Sequence, residues 1–150
     1  MVIEIAKIED LEEILTLQKK SYQSEAALYD DYSIPPLTQT LEGIKEDYAK
    51  MVILKAVENG KIIGSVRAFE EDGVCNIGRL IVHPTHQNKG IGKMLMNAIE
   101  DSFRDCMKFS LFTGNKSLKN ISFYTKLGYR LVKEEQINEN LSYVFLDKCK

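Results

Sequence analysis

Apolar positions along the chain follow two rhythms, and the switches between them divide it into elements. Val2–Ile5 is a short apolar run that predicts a strand. Leu11, Ile14, Leu15 and Tyr22 then fall at helical spacing. Asp10 and Glu13, three apart, have the pattern of a capping box, so a first helix is expected to run to about Ser21. Residues 23–36, which carry two Asp and the Pro35-Pro36 pair, read as irregular. Leu37, Leu41, Ile44 and Tyr48 resume the helical period and predict a second helix.

The centre of the chain reads as strands. Met51–Val57 and Lys61–Phe69 flank Asn59-Gly60, a strong hairpin signal, and Asp72-Gly73 joins the second run to Val74–Val82. Pro84 ends that strand because it has no N–H for a ladder. Ile91, Leu95, Ile99, Phe103 and Cys106 mark a further helix, Met107–Thr113 a strand, and Ser117–Leu127 a helix stopped by Gly128. Tyr129–Lys133 and Tyr143–Leu146 close the chain as two strands. The order β-α-α-β-β-β-α-β-α-β-β predicts an α/β fold of the α+β type. Its central sheet should be mixed and partly antiparallel, with helices on both faces. No repeat or linker interrupts the pattern, so residues 1–150 read as one domain.

Composition narrows the function. With 44% apolar and 28% charged residues the chain is globular. Its three cysteines include no CxxC, which fits a reduced, cytoplasmic thiol set better than disulfides or zinc. No apolar run approaches the ~18 residues of a membrane span. The first ten residues lack the basic-then-apolar pattern of a signal peptide. A net charge of −2 argues against nucleic acid as a partner. That average hides a split: residues 1–75 hold 8 Lys/Arg against 15 Asp/Glu, and residues 76–150 hold 12 against 7. Two readings fit. The charges are solvated, or one half holds an anionic ligand while the other attracts a cation.

The segment richest in chemistry runs from Leu80 to Lys93. A buried strand, a short turn and a helix start with Gly90 and Gly92 would present free N–H groups and a helix dipole to phosphate, with Lys89 and Lys93 beside them. Two commoner phosphate motifs fail: GxGxxG would need Gly at Leu95, and GxxxxGK[ST] would need Gly at Gln87 and Ser or Thr at Met94. His83 and His86 have no further ligands nearby, so no metal is expected.

Gln87-x-x-Gly90-x-Gly92, after a strand ending Val-x-Pro, and the later run Asn120 to Tyr129 resemble the GNAT superfamily of acyl-CoA-dependent N-acetyltransferases. The likeness is sharp over residues 74–130 and reaches the rest through element order. It implies a GNAT-like fold and acetyl-CoA as co-substrate. Leu80, Ile81 and Val82 would offer backbone groups to the pantetheine arm, one N–H serving the thioester carbonyl. A bulge is expected in this strand, with Gly78 a plausible relief point. Gln87, Asn88, Lys89, Gly90, Ile91, Gly92 and Lys93 would cradle the pyrophosphate. Asn120 would bond the cofactor arm or solvate its helix start.

Tyr124 would be the general acid for the leaving thiolate, since a phenol stays protonated at neutral pH. No carboxylate stands on the strand before the tyrosine helix, so Glu70 and Glu71 are the candidates for a base or proton wire. Glu25, Asp30 and Asp31, with Tyr22, Tyr29 and Tyr32, are candidates to line an acceptor pocket suited to a cation. The expected reaction is direct acetyl transfer to an amine of a small molecule or peptide, in a ternary complex. The alternative is a non-catalytic acyl-CoA sensor or interaction module on the same fold. A monomer and a homodimer are both compatible with the sequence.

Overall fold

The computed structural model describes residues 1–150. Its strands are β1 (Val2–Ile5), β2 (Val52–Glu58), β3 (Lys61–Glu71), β4 (Val74–Val82), β5 (Lys108–Gly114), β6 (Arg130–Gln136) and β7 (Ser142–Cys149). Its helices are α1 (Leu11–Ser21), α2 (Gln23–Tyr29), α3 (Pro35–Thr38), α4 (Leu41–Lys50), α5 (Ile91–Ser102) and α6 (Leu118–Lys126). One seven-stranded sheet, ordered β1-β2-β3-β4-β5-β7-β6, is antiparallel except where β4 meets β5. The Asn59-Gly60 and Asp72-Gly73 turns join β2, β3 and β4 as expected, with all four turn residues at positive φ.

Two cores lie on opposite faces of the sheet. Leu11, Ile14 and Leu17 of α1 and Ile44 of α4 pack on Ile53, Ile62 and Ile81. Ile91, Leu95, Met96 and Ile99 of α5 pack on Leu54, Val66, Ala68 and Ile77. Ile121, Phe123, Tyr124 and Leu127 of α6 join the second core at its margin.

Three local expectations are corrected. Residues 23–36 are not irregular throughout, because Glu25, Ala26, Ala27 and Leu28 are good helix formers and make α2, which ends at Asp30 in the left-handed conformation. The second helix starts at Leu41: Thr40 accepts a hydrogen bond from Gly43 N at 3.0 Å, and Leu37 falls in α3. The Asp10–Glu13 capping box does not form. Asp10 instead accepts from Lys7 N at 2.8 Å and Lys55 Nζ at 2.6 Å, while Glu13 accepts from Ile62 N at 2.8 Å. Both carboxylates tie α1 to the sheet, and these tertiary partners outcompete the local cap.

The bulge in β4 sits one residue beyond Gly78. Gly78 pairs with Arg67 and Ile81 with Ser65, so three steps on β4 span two on β3. Arg79 takes a positive φ of 51° there. The extra residue switches the faces of the strand: Cys75 and Ile77 point to the α5 core, Ile81 to the α1 core, and Leu80 and Val82 back toward α5.

Candidate active site

β4 and β5 are paired only over Val74–Asn76 and Lys108–Ser110. Beyond that the strands splay, and the β5-facing edge of Ile77–Val82 has no strand partner. A cleft of about 1140 Å³ fills the opening. Its walls come from β4, the turn into α5, the end of β5, α6 and α2. Among the expected site residues Leu80, Ile81, Val82, Gln87, Asn88, Gly90, Ile91, Gly92, Lys93, Asn120, Tyr124, Glu25 and Tyr29 line it.

The turn is shaped to receive an anion. Asn88 and Gly90 have φ of 62° and 84°. Gly90 caps α5 without a side-chain bond, and Met94 N is the donor to its carbonyl. The first N–H groups of α5 therefore have no intrahelical acceptor and carry the positive end of the dipole. Gln87 Nε2 donates to Val82 O at 3.2 Å, closing the turn against the strand. Gly92 serves packing: an added Cβ would come within 3.3 Å of Phe123 Cζ.

Tyr124 stands on α6 with its ring edge-on to Phe123 and Tyr129, at centroid distances of 5.2 and 6.0 Å. Burial pushes its phenol far above the ordinary value, and the nearby Tyr22 and Glu25 add to the shift. It is therefore a fully protonated donor at neutral pH.

Before Tyr124, the start of α6 is stitched to α2. Ser117 Oγ lies 2.6 Å from Glu25 Oε2 and 2.8 Å from Tyr29 OH. Lys116 N donates to Tyr29 OH at 2.9 Å. Asn120 Nδ2 reaches Glu25 Oε1 at 3.2 Å and Thr113 Oγ1 at 3.3 Å. Asn120 thus orients Glu25, and buried Ser117 does the same from the preceding turn.

The structure does not bring the other candidates here. Glu70 and Glu71 flank the Asp72-Gly73 turn at the far end of β3 and do not line the cleft. Lys89 is exposed outside it. Asp30 and Asp31 border a separate shallow pocket with Asn138, Glu139 and Asn140, and Tyr32 is 57% exposed. Tyr22, expected among the acceptor-pocket aromatics, lines the cleft, and so does Arg79, which the sequence reading did not assign to it. The signal for Arg79 was the broken alternation of Ile77-Gly78-Arg79-Leu80, where a polar residue falls between core positions. None of the cysteines lines the cleft. Cys75 and Cys106 are buried, and desolvation pushes the Cys75 thiol up to about 12.

Comparison with known proteins agrees with this fold. The model of the Acetyltransferase (GNAT) family matches residues 8–129. UPF0157 protein YqkA of Bacillus subtilis is 29% identical over 118 residues, which is 79% of this chain but only 34% of that protein. This chain thus spans about a third of that relative's length. L-amino acid N-acyltransferase MnaT of Escherichia coli is 26% identical over 83% of this chain and 75% of its own. Among solved structures, smu.2055 from Streptococcus mutans superposes with a TM-score of 0.87 at 17% identity, covering 99% of both chains. The PaiA N-acetyltransferase of Thermoplasma acidophilum, solved in complex with coenzyme A, gives 0.81 at 22% identity over the full length of both. At these identities the two structures speak for the fold alone.

Proposed function

The chain belongs to the GNAT acetyltransferase family, and from that premise we propose that it transfers an acetyl group from acetyl-CoA directly to an amine in a ternary complex. The observation that carries this reading is the Tyr124 hydroxyl, protonated and without a partner in the chain, on the wall of a cleft that begins at an uncapped helix N-terminus.

The residues present suit acetyl-CoA. The N–H groups of the first turn of α5, with Lys93, would hold the pyrophosphate, and the open edge of Ile77–Val82 would pair with the pantetheine amides as a further strand would. A free N–H on that edge would polarise the thioester carbonyl as the amine attacks. The amine nitrogen bonds to the carbonyl carbon, the C–S bond breaks, Tyr124 donates a proton to the departing sulfur, and the proton shed by the newly bonded nitrogen restores the Tyr124 hydroxyl. An alkylammonium must first lose a proton, a cost of roughly 4–5 kcal/mol at neutral pH. Glu25 is the carboxylate on the cleft wall and takes that proton directly or through water, replacing Glu70 and Glu71 in the role. With the cysteines outside the cleft, no acyl-thiol intermediate is invoked.

The test is thiol release from acetyl-CoA across a panel of amines, with the acetylated product identified by mass spectrometry. Intersecting initial-velocity lines are expected. Tight acetyl-CoA binding with no turnover of any amine would favour the sensor reading instead.

A further inference from the structure

The bulge that opens the cleft also sets a cation in its wall. Arg79 lies at the extra residue of β4, in the left-handed conformation that a side chain normally avoids. Its Nε is buried and meets no hydrogen-bond partner. No ion pair of the chain includes it. The Nε of neighbouring Arg67 is likewise unpartnered, but its terminal nitrogens reach Asp47 at 2.9 Å, Gln18 at 2.6 Å and Gln39 at 3.3 Å, whereas no acceptor in the chain meets those of Arg79. Arg67 is built into the core, whereas Arg79 is half-buried and lines the cleft without an ion-pair partner. Its buried Nε has lost water and gained no acceptor, a cost that an incoming acceptor group would offset.

The charges around it indicate what it meets. Glu25 is the one carboxylate on the cleft wall, against Arg79, Lys93, Lys116 and Lys119. A polyamine would find a repulsive surface there. Lys93 belongs to the turn of α5, where the pyrophosphate goes, while Arg79 lies beside Tyr22 on the α1–α2 side. We infer that Arg79 receives a carboxylate of the acceptor, so that the substrate is a small amino acid-like molecule carrying both an amine and a carboxylate. The guanidinium fork matches a carboxylate through two parallel hydrogen bonds. The amine end is then left to Glu25, which is bonded to Asn120 one helical turn before Tyr124. This assignment rests on the acetyl-transfer reading above.

The experiment compares kcat/KM for the common L-amino acids, their carboxamides and spermidine, in the wild type and in Arg79→Gln and Arg79→Lys. Wild-type enzyme should prefer at least one amino acid over its carboxamide by ~30-fold or more, the loss expected when one partner of a hydrogen-bonded charge pair in the filled cleft is removed. Arg79→Gln should erase that preference by lowering the value for the acid alone, with the KM for acetyl-CoA unchanged, and Arg79→Lys should keep part of it. Equal wild-type turnover of acid and carboxamide, or better turnover of spermidine, overturns the assignment without touching acetyl transfer. A raised KM for acetyl-CoA in Arg79→Gln would place the guanidinium on the cofactor and overturn it too. Failure of every amine to release thiol removes the acetyl-transfer reading itself, and this inference with it.

Discussion

Replacing Gly114 with alanine should separate α2 from the cleft. Gly114 is the last residue of β5, and a Cβ there would overlap the Tyr29 hydroxyl and Cζ and come within 2.9 Å of Cε2. Tyr29 cannot step aside cheaply, because it is only 3% exposed and its hydroxyl is held by Ser117 Oγ at 2.8 Å and Lys116 N at 2.9 Å. In an ordinary strand, glycine to alanine gains about 0.5–1 kcal/mol. Here overpacking costs about 1–3 kcal/mol, and two lost hydrogen bonds add about 1 kcal/mol each. A net destabilisation near ~3 kcal/mol follows, which in a chain of this size lowers Tm by roughly 6–12 °C. The assay is thermal and urea unfolding of Gly114→Ala, Tyr29→Ala and the double variant. Once the ring is gone the added methyl has room, so the cycle should show a coupling of at least ~2 kcal/mol. A neutral Gly114→Ala, or strictly additive effects, would refute the packing of α2 described above.

Three further outcomes are expected. Gly90→Ala meets no steric neighbour but must hold a φ of 84°, so it should cost ~1 kcal/mol and weaken the stabilisation by acetyl-CoA, ~2.7 kcal/mol at a hundredfold excess over Kd; an undiminished thermal shift would dismiss the phosphate cradle. Glu25→Gln should lower kcat at least ~10-fold for strongly basic amines and less for weakly basic ones, which shed their proton unaided, whereas equal losses for both would remove Glu25 as the base. Burial is the largest influence on Asp10 and raises its pKa, but the Lys55 ammonium and the Lys7 N–H outweigh it and hold the carboxyl below 3.8. That stabilisation is present above pH 3.8 and is lost as the pH falls through the folded-state pKa. Asp10→Asn should therefore cost ~2 kcal/mol at neutral pH and progressively less in acid, as read by urea unfolding along a pH series.

The strand order and the α5 turn were legible in the sequence because their signals are local. Asn59-Gly60 and Asp72-Gly73 set the meander, and Gln87 to Gly92 set the turn into α5, each within a few residues. The place of Tyr124 on the cleft wall was expected through resemblance to a family motif. What the sequence hid depends on distant partners. Asp10 and Glu13 look like a cap, but Lys55 and Ile62 claim them across the sheet. Glu25 was named for the acceptor pocket from a stretch read as irregular, but the bonds to Ser117 and Asn120 that orient it there, more than ninety residues away, could not be read from the sequence. Glu70 and Glu71 were chosen for their place at the end of β3, the second strand of the meander, yet the splay that opens the cleft begins beyond Asn76, at the opposite end of the strand pair. Arg79 was hidden because a bulge cannot be placed by residue type alone: Gly78 looked like the flexible point, and the strain fell on its neighbour.

The most direct test of acetyl transfer at this cleft is kcat for Tyr124→Phe at saturating acetyl-CoA and amine, with acetyl-CoA affinity measured on the same protein. The substitution keeps the ring and its edge-on contacts with Phe123 and Tyr129, and removes only the hydroxyl. A general acid contributes about 10²–10⁴-fold. The predicted result is a fall in kcat of at least ~10-fold with acetyl-CoA affinity unchanged, smaller for thioesters whose leaving thiol is more acidic. An unchanged kcat would contradict it and leave Tyr124 a packing residue.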